Sequence, residues 1–175
     1  MSTRTLTLTA IMTAMLCIIG PLTIPVGPVP VSLVSLALML IAALLGARRG
    51  TLSCGVYLLL GLVGLPVFSG FAGGVGMLAG PTGGFLMGYL PLTALTGAAY
   101  ARTDRRLVHI AAMAAGTLLL YALGTAWYCL QTGTTPTAAI PVCVLPFIPV
   151  DAGKIAAVSL SAPFLVRQVK RGGLL

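Results

Sequence analysis

The stretch of sequence that decides the fold is residues 31–65, VSLVSLALMLIAALLGARRGTLSCGVYLLLGLVGL. Two apolar runs, residues 31–45 and 51–65, flank a short basic turn, GARRG, at residues 46–50. Apolar helices of about 20 residues cross the roughly 30 Å hydrocarbon core of a bilayer, and basic residues collect in connections on one side. The pattern predicts two membrane helices joined by a turn.

The composition extends this interpretation to the whole chain. Of its 175 residues, 58% are hydrophobic and 7% are charged, and the mean hydropathy is +1.10. A soluble domain carries about a quarter charged residues, and a small globule cannot hide so much apolar surface from water. A soluble enzyme, a disordered regulator and a nucleic-acid-binding domain are therefore excluded, and we expect a single transmembrane domain over residues 1–175.

Four more apolar runs predict further spans at residues 6–19, 84–100, 108–128 and 150–166. With six spans, nine of the ten basic residues fall on one side of the membrane. They are Arg4, Arg48, Arg49, Arg102, Arg105, Arg106, Arg167, Lys170 and Arg171. Because basic residues mark the cytoplasmic side, we expect an all-α integral membrane protein, a six-transmembrane-helix bundle with both termini cytoplasmic.

Two connections on the opposite side have unusual compositions. Residues 21–30 are rich in proline, which predicts an extended and fairly rigid segment. Residues 66–84 are rich in glycine and apolar, and irregular backbone at membrane depth is tolerated where it is buried or lines a cavity. The run GPTGG at residues 80–84 either cradles a ligand, with Thr82 offering a hydroxyl, or permits a tight turn and close packing.

Asp151 and Lys154 form the one ionisable pair in or near the apolar runs. Their i, i+3 spacing on a helix places them on one face. A charge at membrane depth costs at least about 2.5 to 3.5 kcal/mol, so it needs a partner or a role. The pair either neutralises itself at the outer interface or lines a ligand pocket, where an acceptor and a cationic donor suit an amide or urea.

The remaining features point away from catalysis. Two acidic residues and one histidine form no convincing acid–base pair or metal cluster, and no phosphate-binding loop is present. We therefore expect neither an enzyme nor a cofactor, and a lipid-modifying enzyme and a purely structural subunit are the weaker alternatives. Ala10 and Ala14 have the spacing of small residues at helix contacts, within the bundle or with a partner helix. A disulfide between Cys129 and Cys143 stays open.

Five stretches, in this order, resemble the biotin-specific S components (BioY family) of energy-coupling factor (ECF) vitamin transporters. They are PVGPVPVSL (25–33), LLGARRG (44–50), GLVGLPVFS (61–69), GPTGGFL (80–86) and LPFIPVDAGK (145–154). The resemblance implies a high-affinity biotin-binding subunit of the plasma membrane, working with a transmembrane coupling (T) subunit and ABC-type ATPase subunits. The alternative within this resemblance is a solitary biotin carrier that works without the ATPases.

The resemblance also implies roles for particular residues. Asp151 and Lys154 match the Asp and Lys of the biotin site, residues 21–30 resemble a lid, and Ala10 and Ala14 match the face toward the coupling subunit. The chain departs from the family pattern because it has no Asn and no Arg on the predicted outer side. The other candidates for polar contacts to biotin are Thr82, Ser69, Tyr89 and Gln131.

Overall fold

The computed structural model describes residues 3–24 and 29–171, and most of them are helical. In chain order the elements are α1 (Thr3–Ile19), β1 (Thr23–Ile24), β2 (Val31–Ser32), α2 (Val34–Leu62), a 3₁₀ turn (Ser69–Phe71), α3 (Val75–Ala79), α4 (Gly83–Arg102), α5 (Arg106–Thr132), α6 (Pro136–Cys143) and α7 (Phe147–Arg171). Strands β1 and β2 form an antiparallel hairpin with Thr23 opposite Ser32. Part of the predicted lid, residues 25–28, lies outside the described residues.

Helix α2 is a helical hairpin whose two halves are residues 34–45 and 47–62. Gly46 between them has φ 76° and ψ 177°, which is not a helical conformation. A Cβ on Gly50 would lie 3.1 Å from Cα of Ala42, whereas a continuous helix separates residues eight apart by about 12 Å. The chain therefore reverses direction at Gly46, in agreement with the two apolar runs and the basic turn in the sequence.

Close contacts between α4 and its two neighbours depend on glycine. A Cβ on Gly97 of α4 would lie 2.6 Å from Cα of Ala47 in α2, and one on Gly88 would lie 2.9 Å from Cα of Leu120 in α5. On α5, Gly116 approaches Leu92 of α4 in the same way. Small residues let helices pack closely where no hydrophobic effect drives them together. Helix α4 is thereby held between α2 and α5.

The arginines of the turn at Gly46, of the connection between α4 and α5, and of the end of α7 lie at one end of the bundle, away from Lys154. The turn at Gly46, the connection between α4 and α5, and the last turns of α7 line one common cavity. Arg106 at the start of α5 donates a hydrogen bond to Ser159 of α7, with 3.3 Å between Nη2 and Oγ. This arrangement brings together the charge clusters that the sequence distributes over three separate connections.

Three helices in the described part of the chain are long and apolar enough to cross a membrane: Val34–Leu62, Arg106–Thr132 and Phe147–Val169. The first of these is the helical hairpin of α2, which reverses at Gly46. Leu6–Ile19 is a shorter apolar helix. The protein is a mostly helical membrane protein, as its composition predicts.

The structure adds detail at two connections. Helix α6 lies between the fifth and sixth predicted spans, and it starts at Pro136, where a missing N–H costs no hydrogen bond. Helix α7 begins at Phe147 rather than at residue 150, because Pro149 falls in its first turn and is tolerated there. All four cysteines are separate thiols, including Cys129 and Cys143.

We predict that Gly97→Ala destabilises the bundle, because the added Cβ meets the backbone of Ala47 rather than a flexible side chain. Overpacking of this kind costs about 1–3 kcal/mol. The apparent Tm of the purified protein in detergent is expected to fall.

The matched control is Gly55→Ala, since a Cβ on Gly55 has nothing within 4 Å. Alanine is the better helix former by about 0.5–1 kcal/mol, so its Tm should stay the same or rise. Equal losses from both variants would contradict the packing argument.

Candidate functional site

Asp151 and Lys154 meet in a buried ion pair in the first turns of α7. Lys154 Nζ lies 2.7 Å from Asp151 Oδ1, and each side chain is only 7% exposed. It is the one ion pair found within residues 3–24 and 29–171. Buried charges are stable only when their remaining hydrogen-bonding positions are also filled. The neighbours of the pair therefore define the site.

Lys154 joins α7 to the β1–β2 hairpin and to the start of α2. Its ammonium donates to the backbone oxygen of Ser32 at 2.8 Å and to Ser35 Oγ at 3.0 Å. With the bond to Asp151, these contacts use all three donors of the ammonium group. Lys154 is thus fully engaged by protein groups, and its charge holds three segments of the chain together.

Asp151 is oriented from a second side by α5. The hydroxyl of Tyr121 donates to Asp151 Oδ2, with 2.6 Å between the oxygens. Each carboxylate oxygen can accept more than one hydrogen bond, so Asp151 keeps acceptor capacity after binding Tyr121 and Lys154. The arrangement can therefore receive a ligand's N–H or O–H group.

Two adjoining cavities lie beside the ion pair. The smaller, about 50 Å³, borders Asp151, Lys154 and Tyr121, and the larger, about 280 Å³, borders Ser69 and Thr82. The residues that line both cavities are Val29, Pro30, Ser32, Phe85 and Tyr89. An apolar lining with a few convergent polar groups is typical of a small-molecule site.

Part of the wall of the larger cavity comes from the Gly-rich connection, residues 66–84. Tyr57 of α2 donates to the backbone oxygen of Val67 at 3.0 Å, and its ring stands edge-on to Phe68. Trp127 of α5 donates from Nε1 to the backbone oxygen of Gly80 at 2.9 Å. These bonds fix the irregular backbone that carries Ser69 and Thr82 to the cavity.

The sequence-predicted residues divide into two groups. Asp151, Lys154, Tyr89, Ser69 and Thr82 all border the two cavities. Gln131 is exposed in the last turn of α5 and borders neither cavity.

Three polar residues at the ion pair are absent from the set of biotin contacts predicted from the sequence: Ser32, Ser35 and Tyr121. Ser32 and Ser35 are hydroxyl residues three apart in an apolar run, and Tyr121 lies in the middle of an apolar helix. A polar side chain inside an otherwise apolar segment was the sequence signal that could have identified these three residues. Within the described chain, no group of three His, Cys, Asp or Glu residues is placed to hold a metal ion.

Ala10 and Ala14 lie on the exposed face of α1. The opposite face packs on α2, where Ser53 Oγ donates to the backbone oxygen of Thr9 at 3.3 Å and Thr13 is buried. Contacts inside the bundle therefore do not account for the spacing of the two alanines.

Comparisons with known proteins cover nearly the whole chain. The chain is 35% identical over 167 residues to "Biotin transporter BioY2" of Lactococcus lactis subsp. cremoris (strain MG1363), covering 93% of this chain and 90% of the relative. It is 37% identical over 173 residues to "Biotin transporter BioY" of Rhodobacter capsulatus, covering 91% of each.

A solved structure supports the same relationship. The crystal structure of the S-component for biotin from an ECF-type ABC transporter superposes with a TM-score of 0.86, at 30% sequence identity and over 95% of both chains. A sequence model of the BioY family matches residues 1–171. The chain therefore belongs to the BioY family, as its sequence motifs predict.

Proposed function

We propose that this protein is the biotin-specific, substrate-binding S component of an ECF-type uptake transporter, with biotin bound in the cavities beside Asp151. The observation that carries the proposal is the buried Asp151–Lys154 pair at the wall of an apolar pocket. Family membership and the likeness to a biotin S-component support the choice of ligand. The protein belongs to a transporter family and not to an enzyme family.

The chemistry of biotin suits the two cavities. Its urea group offers N–H donors, and Asp151 retains acceptor capacity while the donors of Lys154 are already engaged. Its thioether ring and aliphatic tail suit apolar walls such as Phe85 and Phe68. We therefore propose that the urea end lies at Asp151, with Ser69, Thr82 and Tyr89 as candidate polar contacts along the larger cavity.

We also propose a topology of six spans in a single membrane domain. The hairpin in α2 contributes two spans, and α1, α4, α5 and α7 contribute one each. The arginines that gather at one end of the bundle support a cytoplasmic position for that end, and with it both termini, in the plasma membrane.

Transport is proposed to need separate subunits. The chain has no phosphate-binding loop, so ATP hydrolysis would belong to ABC-type ATPase subunits joined through a transmembrane coupling subunit. Ala10 and Ala14 lie on an exposed, small-residue face of α1 that suits close contact with another helix. Biotin uptake that persists without these subunits would favour the solitary carrier instead.

Replacing Asp151 by Asn is expected to weaken biotin binding by at least about 30-fold, because truncating a buried charge interaction costs about 2–5 kcal/mol. Radiolabelled biotin binding to the purified protein measures the change. The matched control is Asp104→Asn, which alters the other carboxylate, at the basic end of the bundle, and should bind biotin like the wild type. Gln131→Ala should also bind biotin like the wild type.

The double variant Asp151→Asn/Lys154→Met separates binding from folding. It removes both charges together, so no unpaired charge is left buried. We expect a folded protein, judged by its Tm, that still binds biotin weakly. Wild-type affinity in this variant would remove the pair from the site.

Ala10→Trp and Ala14→Trp are expected to abolish biotin uptake in cells that contain the whole transporter, while the purified variants bind biotin normally. A bulky side chain blocks close helix contact but lies on the face of α1 away from α2. Ala115→Trp, on the exposed face of α5, is the matched control and should support normal uptake.

The topology is tested by single cysteines in a cysteine-free background. A membrane-impermeant maleimide should label Thr134→Cys, between α5 and α6, in intact cells. Arg105→Cys, between α4 and α5, should react only after permeabilisation. Labelling of both from outside would contradict the proposed orientation.

A further inference from the structure

A separate cavity lies at the basic end of the bundle, away from the ion pair. Its volume is about 570 Å³, and it opens between the turn at Gly46, the connection from α4 to α5, and the last turns of α7. It shares no lining residue with either cavity beside Asp151. Biotin binding therefore does not account for it.

Charged side chains are part of the lining of this cavity. Arg106 and Arg167 line it together with Asp104, which leaves one net positive charge. None of the three forms an ion pair in the part of the chain that the structure describes. Arg106 donates one hydrogen bond to Ser159, and its guanidinium carries five donors. Both arginines thus retain donors that an anion can use.

Apolar residues also line the cavity. Leu44, Leu45, Pro163 and Val166 line it. Tyr100 closes one end, with its ring stacked on His109 at 3.7 Å between centroids. His109 donates from Nε2 to the backbone oxygen of Thr103 at 2.7 Å, which fixes the stacked rings in place.

We propose that this cavity binds the phosphodiester headgroup of an anionic phospholipid, such as phosphatidylglycerol. The net charge of +1 complements a monoanionic phosphodiester, and basic pockets between membrane helices on the cytoplasmic side are suited to acidic headgroups. The apolar wall beside the arginines accommodates the start of an acyl chain, which inorganic phosphate lacks. The lipid would link the α2 turn, α5 and α7 at the membrane surface.

The test uses native mass spectrometry of the purified protein after exchange into detergent with added phosphatidylglycerol. We expect one tightly retained lipid per protein, and at least about tenfold weaker retention in Arg106→Gln/Arg167→Gln, because hydrogen bonds to charged groups are each worth a factor of ten or more. Arg167→Gln alone breaks no hydrogen bond among the residues that the structure describes. It should show part of the loss if the double variant folds poorly.

The matched control is Arg48→Gln/Arg102→Gln, which removes the same charge from the same end of the bundle but from residues outside the cavity. It should retain the lipid like the wild type. Equal loss from both double variants would show a diffuse surface attraction and overturn the proposal. Displacement of the lipid by millimolar inorganic phosphate, or equal retention of phosphatidylcholine, would overturn the assignment of an anionic lipid. Normal biotin binding by the variants separates this result from the proposed function.

Discussion

The rest of the structure depends on one buried cation and the acceptors that surround it. Lys154 is held by a backbone oxygen of β2, a hydroxyl of α2 and a carboxylate of its own helix. An ammonium in apolar surroundings is stable only with such a complete set of partners. The need to satisfy this one charge brings the β1–β2 hairpin, α2 and α7 together. The hydrogen bond from Tyr121 to Asp151 connects α5 to the same group. The pocket lies where these segments meet.

Close packing of the helices is the second constraint. The glycines of α4 and α5 bring backbones within van der Waals contact, and α4 carries Phe85 and Tyr89 to the pocket wall. A larger residue at these positions would move that wall relative to Asp151. The dimensions of the pocket are therefore set by residues that do not line it, such as Gly88 and Gly116.

The sequence predicted well what depends on neighbouring residues. The positions of the helices follow from apolar runs and the reversal at Gly46 follows from its basic turn, because each is a local pattern. The contacts of Lys154 with Ser32 and Ser35 span more than a hundred residues, and no local pattern reveals them. Tyr121 lies within an apolar run, and only the packing of α5 against α7 shows that it donates to Asp151. Gln131 was predicted from its polarity, but its side chain is exposed and borders neither cavity.

The i, i+3 spacing of Asp151 and Lys154 affects how the chain enters the membrane during synthesis. In the proposed orientation, the start of α7 must be translocated across the hydrocarbon layer, and two isolated charges would each oppose that step by about 2.5 to 3.5 kcal/mol. Because the two residues lie on one face of the same helix, they can cross as a neutral dipole before any other segment has arrived. The segment that is translocated is therefore polar but has no net charge. The nine other basic residues stay on the cytoplasmic side, where the chain is synthesised.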